Sequence, residues 1–343
     1  MSALLEQANP FGNLVATVDD DGGSVYLYVH HARYRAWGFR PLWLANRPHQ
    51  GPPAKGEAPR LDPRRTDHPE GHPGFAAADL ELVWTPAGDG LFLSHRSELL
   101  AHLPGVDETL GSPGFSRHAL SKERYAWPLD SGPVDLRAQL NDARRFWSES
   151  QGIAAWERAR DRMLQAGAKT YGEHAAYFSV DEHAWPPLGV ARYECGGHQV
   201  VTTVGMSLPR APAPTDRGAS HLEVAFAVQG GQPAADGGWC VQTAAWLGRY
   251  PWNWYTPLEE GALLMVPSGT ASWFAPNRSA VLLLEDLRPW RSEPVAAMAP
   301  PDGVRLLWAL VLTHDEVRSI ELRGQDAFRE RFVASRSSLV FEP

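Results

Sequence analysis

The chain has 343 residues, of which 43% are hydrophobic and 21% charged; this composition is typical of a folded globular protein and excludes a wholly disordered one. The length suggests two domains, since a domain usually contains about 100–200 residues. Asp and Glu number 40 against 32 Lys and Arg, which gives a net charge of −8. That charge disfavours nucleic-acid binding through phosphate contacts and suits a basic protein partner better.

The first ten residues contain no basic region and only a short apolar run, so neither a secretory signal nor a transit peptide is visible. No apolar run approaches the roughly 20 residues needed to cross a bilayer. Cys195 and Cys240 are too few for a disulfide framework. We therefore expect a cytoplasmic protein with reduced thiols and no membrane contact.

Residues 1–130 are predicted to form a β-rich domain of unknown function. Apolar runs bounded by turn residues predict its strands, which we place at residues 14–18, 25–29, 39–44, 80–84 and 91–93. Residues 48–73 are rich in Pro, Gly, Arg and His and have almost no apolar residues, so we expect an exposed loop there.

Residues 131–168 are predicted to form a helical connector. Asp135 is a suitable N-cap, and apolar stripes at helical spacing follow it. The remaining residues, 169–343, alternate strands and helices. The predicted strands lie at residues 200–204, 224–228, 263–266, 281–284 and 306–312. A helix is predicted over 239–249, ending before Pro251, and another begins at the capping box of Thr313 and Glu316.

The fold class is thus predicted to be α+β, with two mixed or antiparallel β-sheet lobes and packed helices. The chain contains no nucleophile elbow and no phosphate-binding loop, and no catalytic residue is assigned. Two groups have metal-ligand residue types: Asp67 with His68 and His72, and Cys195 with His198. The first group is a pair of donor positions without a third ligand in register, and the second lacks the further Cys/His pair of a zinc knuckle. We therefore expect neither a metal nor a cofactor, and the sequence leaves open whether either group binds a metal.

The segment 198–207, HQVVTTVGMS, resembles a strand and turn of the suppressor-of-fused (SUFU) domain. Other segments fit the same family in the same order: 222–228, 246–251, 258–261, 306–316 and 324–328. The resemblance covers about residues 170–332 and identifies 169–343 as a SUFU-like domain of the bacterial type. His221 and the Pro/Ala-rich loop 209–220 depart from the family pattern, which puts partner contacts through this loop in doubt.

This resemblance implies a non-catalytic protein-binding module. The eukaryotic member of the family holds an extended peptide of a Gli-type transcription factor as an added β-strand. Bacterial relatives are thought, from gene context, to include immunity proteins that neutralise toxins. The implied partner is therefore another protein, either a basic toxin or an extended peptide segment.

We expect the partner strand to pair along an exposed edge near residues 200–207 or 224–228. One or more rings of the aromatic run 250–255 are expected to line a concave surface, because large rings are favoured as interface anchors. The alternative is that the run forms a corner of the core, with the indole N–H groups bound to backbone carbonyls. The predicted partner-binding residues are Val200, Thr202, Ser207, Glu223, Trp252, Trp254, Tyr255 and Glu285.

Two alternatives remain open. A metal-dependent hydrolase, or another enzyme with a His/Asp site, would bring together at least three of five donors within about 4 Å of one point. These donors are His183, His198, Cys195, Asp181 and Glu223. Alternatively, the N-terminal half carries the specific activity and the SUFU-like half serves as a scaffold.

Overall fold

The structure is a computed structural model. It describes residues 2–34, 38–48, 56–105, 112–181, 184–211, 221–229, 238–254, 256–267, 274, 278–290, 298–335 and 339–341. The chain divides into two compact units, residues 1–149 and 150–343. Their sheets contain both antiparallel and parallel pairs, and helices pack on them, so the predicted α+β class is confirmed. The assignment of 1–130, 131–168 and 169–343 as separate domains stays a prediction.

An antiparallel meander forms the first sheet of the N-terminal unit. Its strands are β1 (Ser2–Ala8), β2 (Leu14–Asp20), β3 (Ser24–His31) and β4 (Phe39–Asn46), in that order. The β2–β3 hairpin turns at Asp21, whose Oδ1 accepts hydrogen bonds of 2.8 Å from the backbone N–H groups of Gly23 and Ser24. The Asp21 carboxylate thus supplies an acceptor for backbone N–H groups at the turn.

A five-stranded sheet follows in the same unit. Its strands are β5 (Leu80–Trp84), β6 (Leu91–His95), β7 (Glu98–Leu103), β8 (Phe115–Ser116) and β9 (Trp127–Pro128). Helix α1 (Leu136–Ser150) buries Leu140 and Ala143 in a cluster with Phe92 of this sheet. Asp135 accepts a hydrogen bond from the Ala138 N–H at 3.2 Å, as expected of an N-terminal cap.

The C-terminal unit is built on an eight-stranded mixed sheet with the order β10-β11-β12-β13-β16-β15-β14, in which β17 also pairs with β13. The strands are β10 (Ala176–Asp181), β11 (Leu188–Cys195), β12 (His198–Val204), β13 (His221–Gln229), β14 (Leu263–Met265), β15 (Arg278–Leu284), β16 (Val304–Thr313) and β17 (Val340–Phe341). The β13–β16 and β13–β17 pairs are parallel. The central strands are buried at nearly every position, which requires cover on both faces.

Helices provide that cover. They are α2 (Ile153–Tyr171), α3 (Gly238–Trp254), α4 (His314–Arg323) and α5 (Gln325–Ala334). Met163 of α2, Ile320 of α4 and Phe328 of α5 share one core cluster with Ala225 and Ala227 of β13. The residue between those two alanines, Phe226, instead contacts Trp239 of α3 at a ring-centroid distance of 6.1 Å. Because side chains alternate along a strand, α3 covers the opposite face.

Helix α3 corrects one prediction. It continues through Pro251 to Trp254 rather than ending before the proline. Pro251 is buried on this helix together with Leu247, so packing against the sheet outweighs the backbone hydrogen bond that a proline within a helix removes. No helix of the described residues is long and apolar enough to cross a membrane.

Candidate functional site

A buried carboxylate holds the turn that carries the family-like motif. Glu223 of β13 is completely buried, and its Oε1 accepts hydrogen bonds from the backbone N–H groups of Gly205 and Ser207, both at 2.9 Å. The Ser207 hydroxyl donates to the same oxygen at 2.6 Å, and the Thr203 hydroxyl donates to Oε2 at 2.6 Å. One side chain therefore fixes the chain direction at the end of β12.

Burial and hydrogen bonding act in opposite directions on the pKa of Glu223. Burial raises the pKa of Glu223, and the four donors oppose that shift because they stabilise the charged form. Ser207 and Glu223 were both expected to contact a partner, and the structure brings them together. Their polar groups bind one another within the fold, so they act on the shape of the turn.

The other predicted contacts do not form one surface. Val200 and Thr202 lie on β12 and are 0% and 1% exposed, and Trp252 on α3 is 1% exposed. Trp254, two residues later, is 37% exposed and lies 6.2 Å from the Tyr250 ring, whereas Tyr255 falls outside the described residues. The assignment of these residues as partner contacts stays a prediction.

Glu285 follows β15 and is exposed. Its carboxylate forms an ion pair with Arg305 of the neighbouring strand β16, with a separation of 3.2 Å. An exposed pair of this kind contributes little to stability. Glu285 thus lies at the surface at the end of β15, whereas Trp254 lies at the end of α3.

The expected edge pairing is wrong for both strands that were named. In the sheet order β12 lies between β11 and β13, and β13 lies between β12 and β16. Their backbone groups already pair within the sheet, which leaves no open edge for a partner strand. Strand β10 lies at an end of the sheet instead and pairs only with β11 among the described strands.

Of the donors that the hydrolase alternative requires, Glu223 lies far from Cys195 and His198 in the sheet. Cys195 and His198 face each other across the β11–β12 turn, and His198 pairs with Gln229 at the far end of β13. Glu223 lies six residues from Gln229, or about 20 Å along a strand at about 3.3 Å per residue. These three donors do not converge, while His183 and the side chain of Asp181 lie outside what the structure describes.

Three histidines do converge in the N-terminal unit. His68, His72 and His118 offer ligand atoms that all lie within 4.8 Å of one another. Their ring centroids are separated by 4.8 to 5.1 Å. They form the one group of three or more such donors among the described residues. We call these three residues the histidine cluster.

Two members of the cluster, His72 and His118, have surroundings that favour the neutral imidazole. Burial, followed by the neighbouring His118, His68 and His95 and by Arg47, lowers the pKa of His72 to about 4. Burial also lowers the pKa of His118, although its hydrogen bond to Asp67 acts in the opposite direction. Near neutral pH these two imidazoles are neutral, which is the form that binds metal ions.

Sequence reasoning found His68 and His72 but missed His118. The spacing within 67–72 shows two donors on one loop, whereas His118 follows β8 and is 46 positions beyond His72. Only the folded chain brings it close. An isolated Thr66–Ala119 bridge and the Asp67 N–H donating to the His118 carbonyl at 3.2 Å hold the two segments together.

A separate concave surface lies on the first sheet. It encloses about 700 Å³ and is lined by the rings of Tyr26, Tyr28, Phe39 and Tyr125. Tyr26 and Tyr28 stack at a centroid distance of 5.6 Å, and Asp19 lies on the same wall. Aromatic faces beside a carboxylate suit flat or cationic groups. This surface is independent of the predicted partner-binding residues, all of which belong to the other unit.

The C-terminal unit is an α+β domain in which helices cover both faces of a mixed sheet. Residues 184–343 match the family model described as Suppressor of fused protein (SUFU). The C-terminal unit therefore contains a SUFU-family domain, and the recognition made from the sequence is confirmed.

Solved structures show a distant likeness. A SUFU (suppressor of fused protein) homolog from Neisseria gonorrhoeae FA 1090 shares 14% identity, with a TM-score of 0.40; the match covers 54% of this chain and 94% of that one. The structure described as the Sufu-Fu complex shares 12% identity, with a TM-score of 0.38, covering 55% of this chain and 89% of the other. No curated protein matches the chain.

Proposed function

We propose that this chain is a non-catalytic protein that binds another protein through its SUFU-family domain. The match of residues 184–343 to that family carries the proposal, because SUFU is a family of protein-binding domains. The arrangement of Glu223 agrees with a binding role. Its carboxylate is completely buried and accepts hydrogen bonds from four donors, so it serves to shape the turn.

The edge strand β10 is the best place for an extended partner segment. Its outer backbone groups have no strand beside them among the described residues, and such an edge is a template for strand addition. Ser179 is exposed there, and Phe178 and Val180 are partly exposed. An extended peptide would gain main-chain hydrogen bonds along β10 and apolar contacts with Phe178 and Val180.

The partner that fits best is basic. The chain carries a net charge of −8, so a positively charged partner gains from electrostatic steering. Sequestration of a basic toxin by a cytoplasmic immunity-type protein is the finer form of this proposal. It rests on the charge and on the family resemblance alone.

A matched pair of variants tests the edge-strand proposal. Ser179→Lys places a positive charge on the exposed edge, and Ser148→Lys makes the same change on the exposed surface of α1 in the other unit. Partners are captured from the source cells by the full chain, identified by mass spectrometry and then purified for titration. We expect Ser179→Lys to weaken binding at least about tenfold and Ser148→Lys to leave it unchanged.

Hydrogen exchange then locates the contact. Binding through β10 would slow the exchange of amides within Ala176–Asp181 when the partner is added. Protection confined to other elements, together with unchanged binding by Ser179→Lys, would reject β10 as the docking edge. The protein-binding role itself would be rejected if no stoichiometric partner is recovered with the wild-type chain.

A further inference from the structure

We propose that the histidine cluster, His68, His72 and His118, binds one divalent transition-metal ion, for which zinc is the best match. Three imidazole donors are a common ligand set for zinc, and they leave a fourth position to solvent or to another ligand. Imidazole also binds copper and nickel. We prefer zinc because Zn²⁺ has no geometric preference from its d electrons and readily takes a tetrahedral site. The inference is independent of the SUFU domain, because the cluster lies in the other unit.

Asp67 orients one of the ligands. Its carboxylate accepts a hydrogen bond from His118 Nδ1, with 2.9 Å between Nδ1 and Oδ2. A carboxylate accepts but does not donate, so Nδ1 carries the proton and Nε2 of His118 keeps its lone pair for a metal. This carboxylate–histidine arrangement is the usual second layer of a zinc site, where it fixes the ring and increases its basicity.

The loop that carries His68 and His72 is already held in place. The backbone N–H of His72 donates to the Asn46 carbonyl at 2.8 Å, and that of Gly71 donates to the His68 carbonyl at 2.9 Å. On the other side, the Leu120 N–H donates to the Arg65 carbonyl at 2.9 Å. A metal ion would therefore find its ligands close together, without the ordering cost of a free loop.

Binding still requires a local adjustment. Zinc–nitrogen bonds of 2.0–2.1 Å put tetrahedral ligand atoms about 3.3 Å apart, so the donors must approach one another from their present spread of up to 4.8 Å. His72 Nδ1 now accepts a hydrogen bond from the Gly74 N–H at 3.0 Å. Coordination through Nε2 moves the ring proton to Nδ1 and releases the Gly74 N–H.

The test uses the full chain without a histidine tag, treated with a chelator and then titrated with Zn²⁺. We expect one ion per chain by elemental analysis and calorimetry. Co²⁺ should give the visible absorption bands of a tetrahedral site. The Gly74 amide resonance should shift when Zn²⁺ binds, which a nonspecific surface ion would not cause.

Variants identify the ligands. His118→Ala and His68→Gln should each weaken Zn²⁺ binding at least about tenfold, and Asp67→Asn should weaken it about 10- to 100-fold through the orientation of His118. His314→Ala, at an exposed position in the other unit, is the control and should bind as the wild type does. His68 is only partly buried, so His68→Gln keeps the test valid if His118→Ala fails to fold.

Two outcomes would overturn the inference. One is binding of less than one Zn²⁺ per chain at micromolar concentrations with no tetrahedral Co²⁺ spectrum. The other is Zn²⁺ binding that His68→Gln, Asp67→Asn and His314→Ala all leave unchanged, since the ion would then be held elsewhere on the surface.

Discussion

His118 Nδ1 lies 2.9 Å from Asp67 Oδ2, although 51 positions separate the two residues. The contact joins the loop before the five-stranded sheet to the segment after β8. Because Asp67 stands next to His68, the same contact positions the third histidine beside the first two. The metal site proposed for the N-terminal unit and the protein-binding function proposed for the C-terminal unit use different residues, so each can be tested by substitutions that leave the residues of the other unchanged.

Asn46 anchors the segment that leads to the histidine cluster. Its Oδ1 accepts from Trp43 Nε1 and from the Leu61 N–H, both at 3.0 Å, and its Nδ2 donates to the Leu61 carbonyl at 2.8 Å. Asn46→Ala leaves two buried donors unpaired, so we expect the free energy of unfolding of this unit to fall by about 2–4 kcal/mol. Urea unfolding measures the loss. Gln139→Ala, at an exposed position on α1, is the control. An equally small change in unfolding free energy in both variants would refute the anchoring role of Asn46.

Glu223 should be essential to the turn at 205–207. Glu223→Ala leaves the N–H groups of Gly205 and Ser207 without an acceptor, and we expect a loss of about 3–5 kcal/mol in unfolding free energy. Glu223→Gln keeps one acceptor oxygen, and the Thr203 hydroxyl can accept from its amide, so its cost should be smaller. Hydrogen exchange at Gly205 and Ser207 reports the local effect. Similar exchange rates in both variants and the wild type would contradict this account.

The sequence predicted those elements whose information is local. The apolar runs identified β15 and β16, and the spacing of Thr313 and Glu316 identified the capping box that begins α4. It missed β11, where Arg192 and Glu194 interrupt the apolar pattern although the strand is internal. Their long side chains can reach outward while the backbone pairs on both sides, which a search for apolar runs does not detect.

The candidate sites depend more strongly on contacts distant in the sequence. The order of strands placed β12 and β13 inside the sheet, and no local pattern distinguishes an internal strand from an edge strand when both are apolar. His118 joins the histidine cluster for the same reason, since only the packing of β8 brings it near His72. The sequence therefore shows which residues could bind a metal or a partner, but not which residues come into contact with them in the folded chain.

The capping box of α4 gives a test of moderate size. The Thr313 hydroxyl accepts from the Glu316 N–H at 3.2 Å, and Glu316 Oε2 accepts from the Thr313 N–H at 2.7 Å. Thr313→Ala removes the first bond and should lower the unfolding free energy by about 1 kcal/mol, whereas Thr313→Ser should retain most of it. Denaturant unfolding followed by circular dichroism compares the two. Equal stability of the alanine and serine variants would show that the side-chain oxygen is not used.

His102 should make the N-terminal unit sensitive to acid. It is 4% exposed, stacks on Phe92 at a centroid distance of 4.4 Å, and lies with Nδ1 3.1 Å from the Leu91 carbonyl oxygen. Burial lowers its pKa to about 4 from the ordinary 6.5. As the pH falls, His102 therefore takes up a proton in the unfolded chain before it does so in the folded one. The contribution of neutral, buried His102 to the unfolding free energy is fully present above pH 6.5 and is lost between pH 6.5 and about 4.

The expected loss from this one group is about 3 kcal/mol across that interval, since each unit of pKa corresponds to about 1.4 kcal/mol. Urea unfolding at pH 7.0, 6.0, 5.0 and 4.5 measures it in the wild type and in His102→Asn, which cannot titrate. The variant should start less stable at pH 7 and should lose less stability on acidification than the wild type does. Parallel curves for the two proteins would show that His102 is already protonated in the fold or equally accessible in both states.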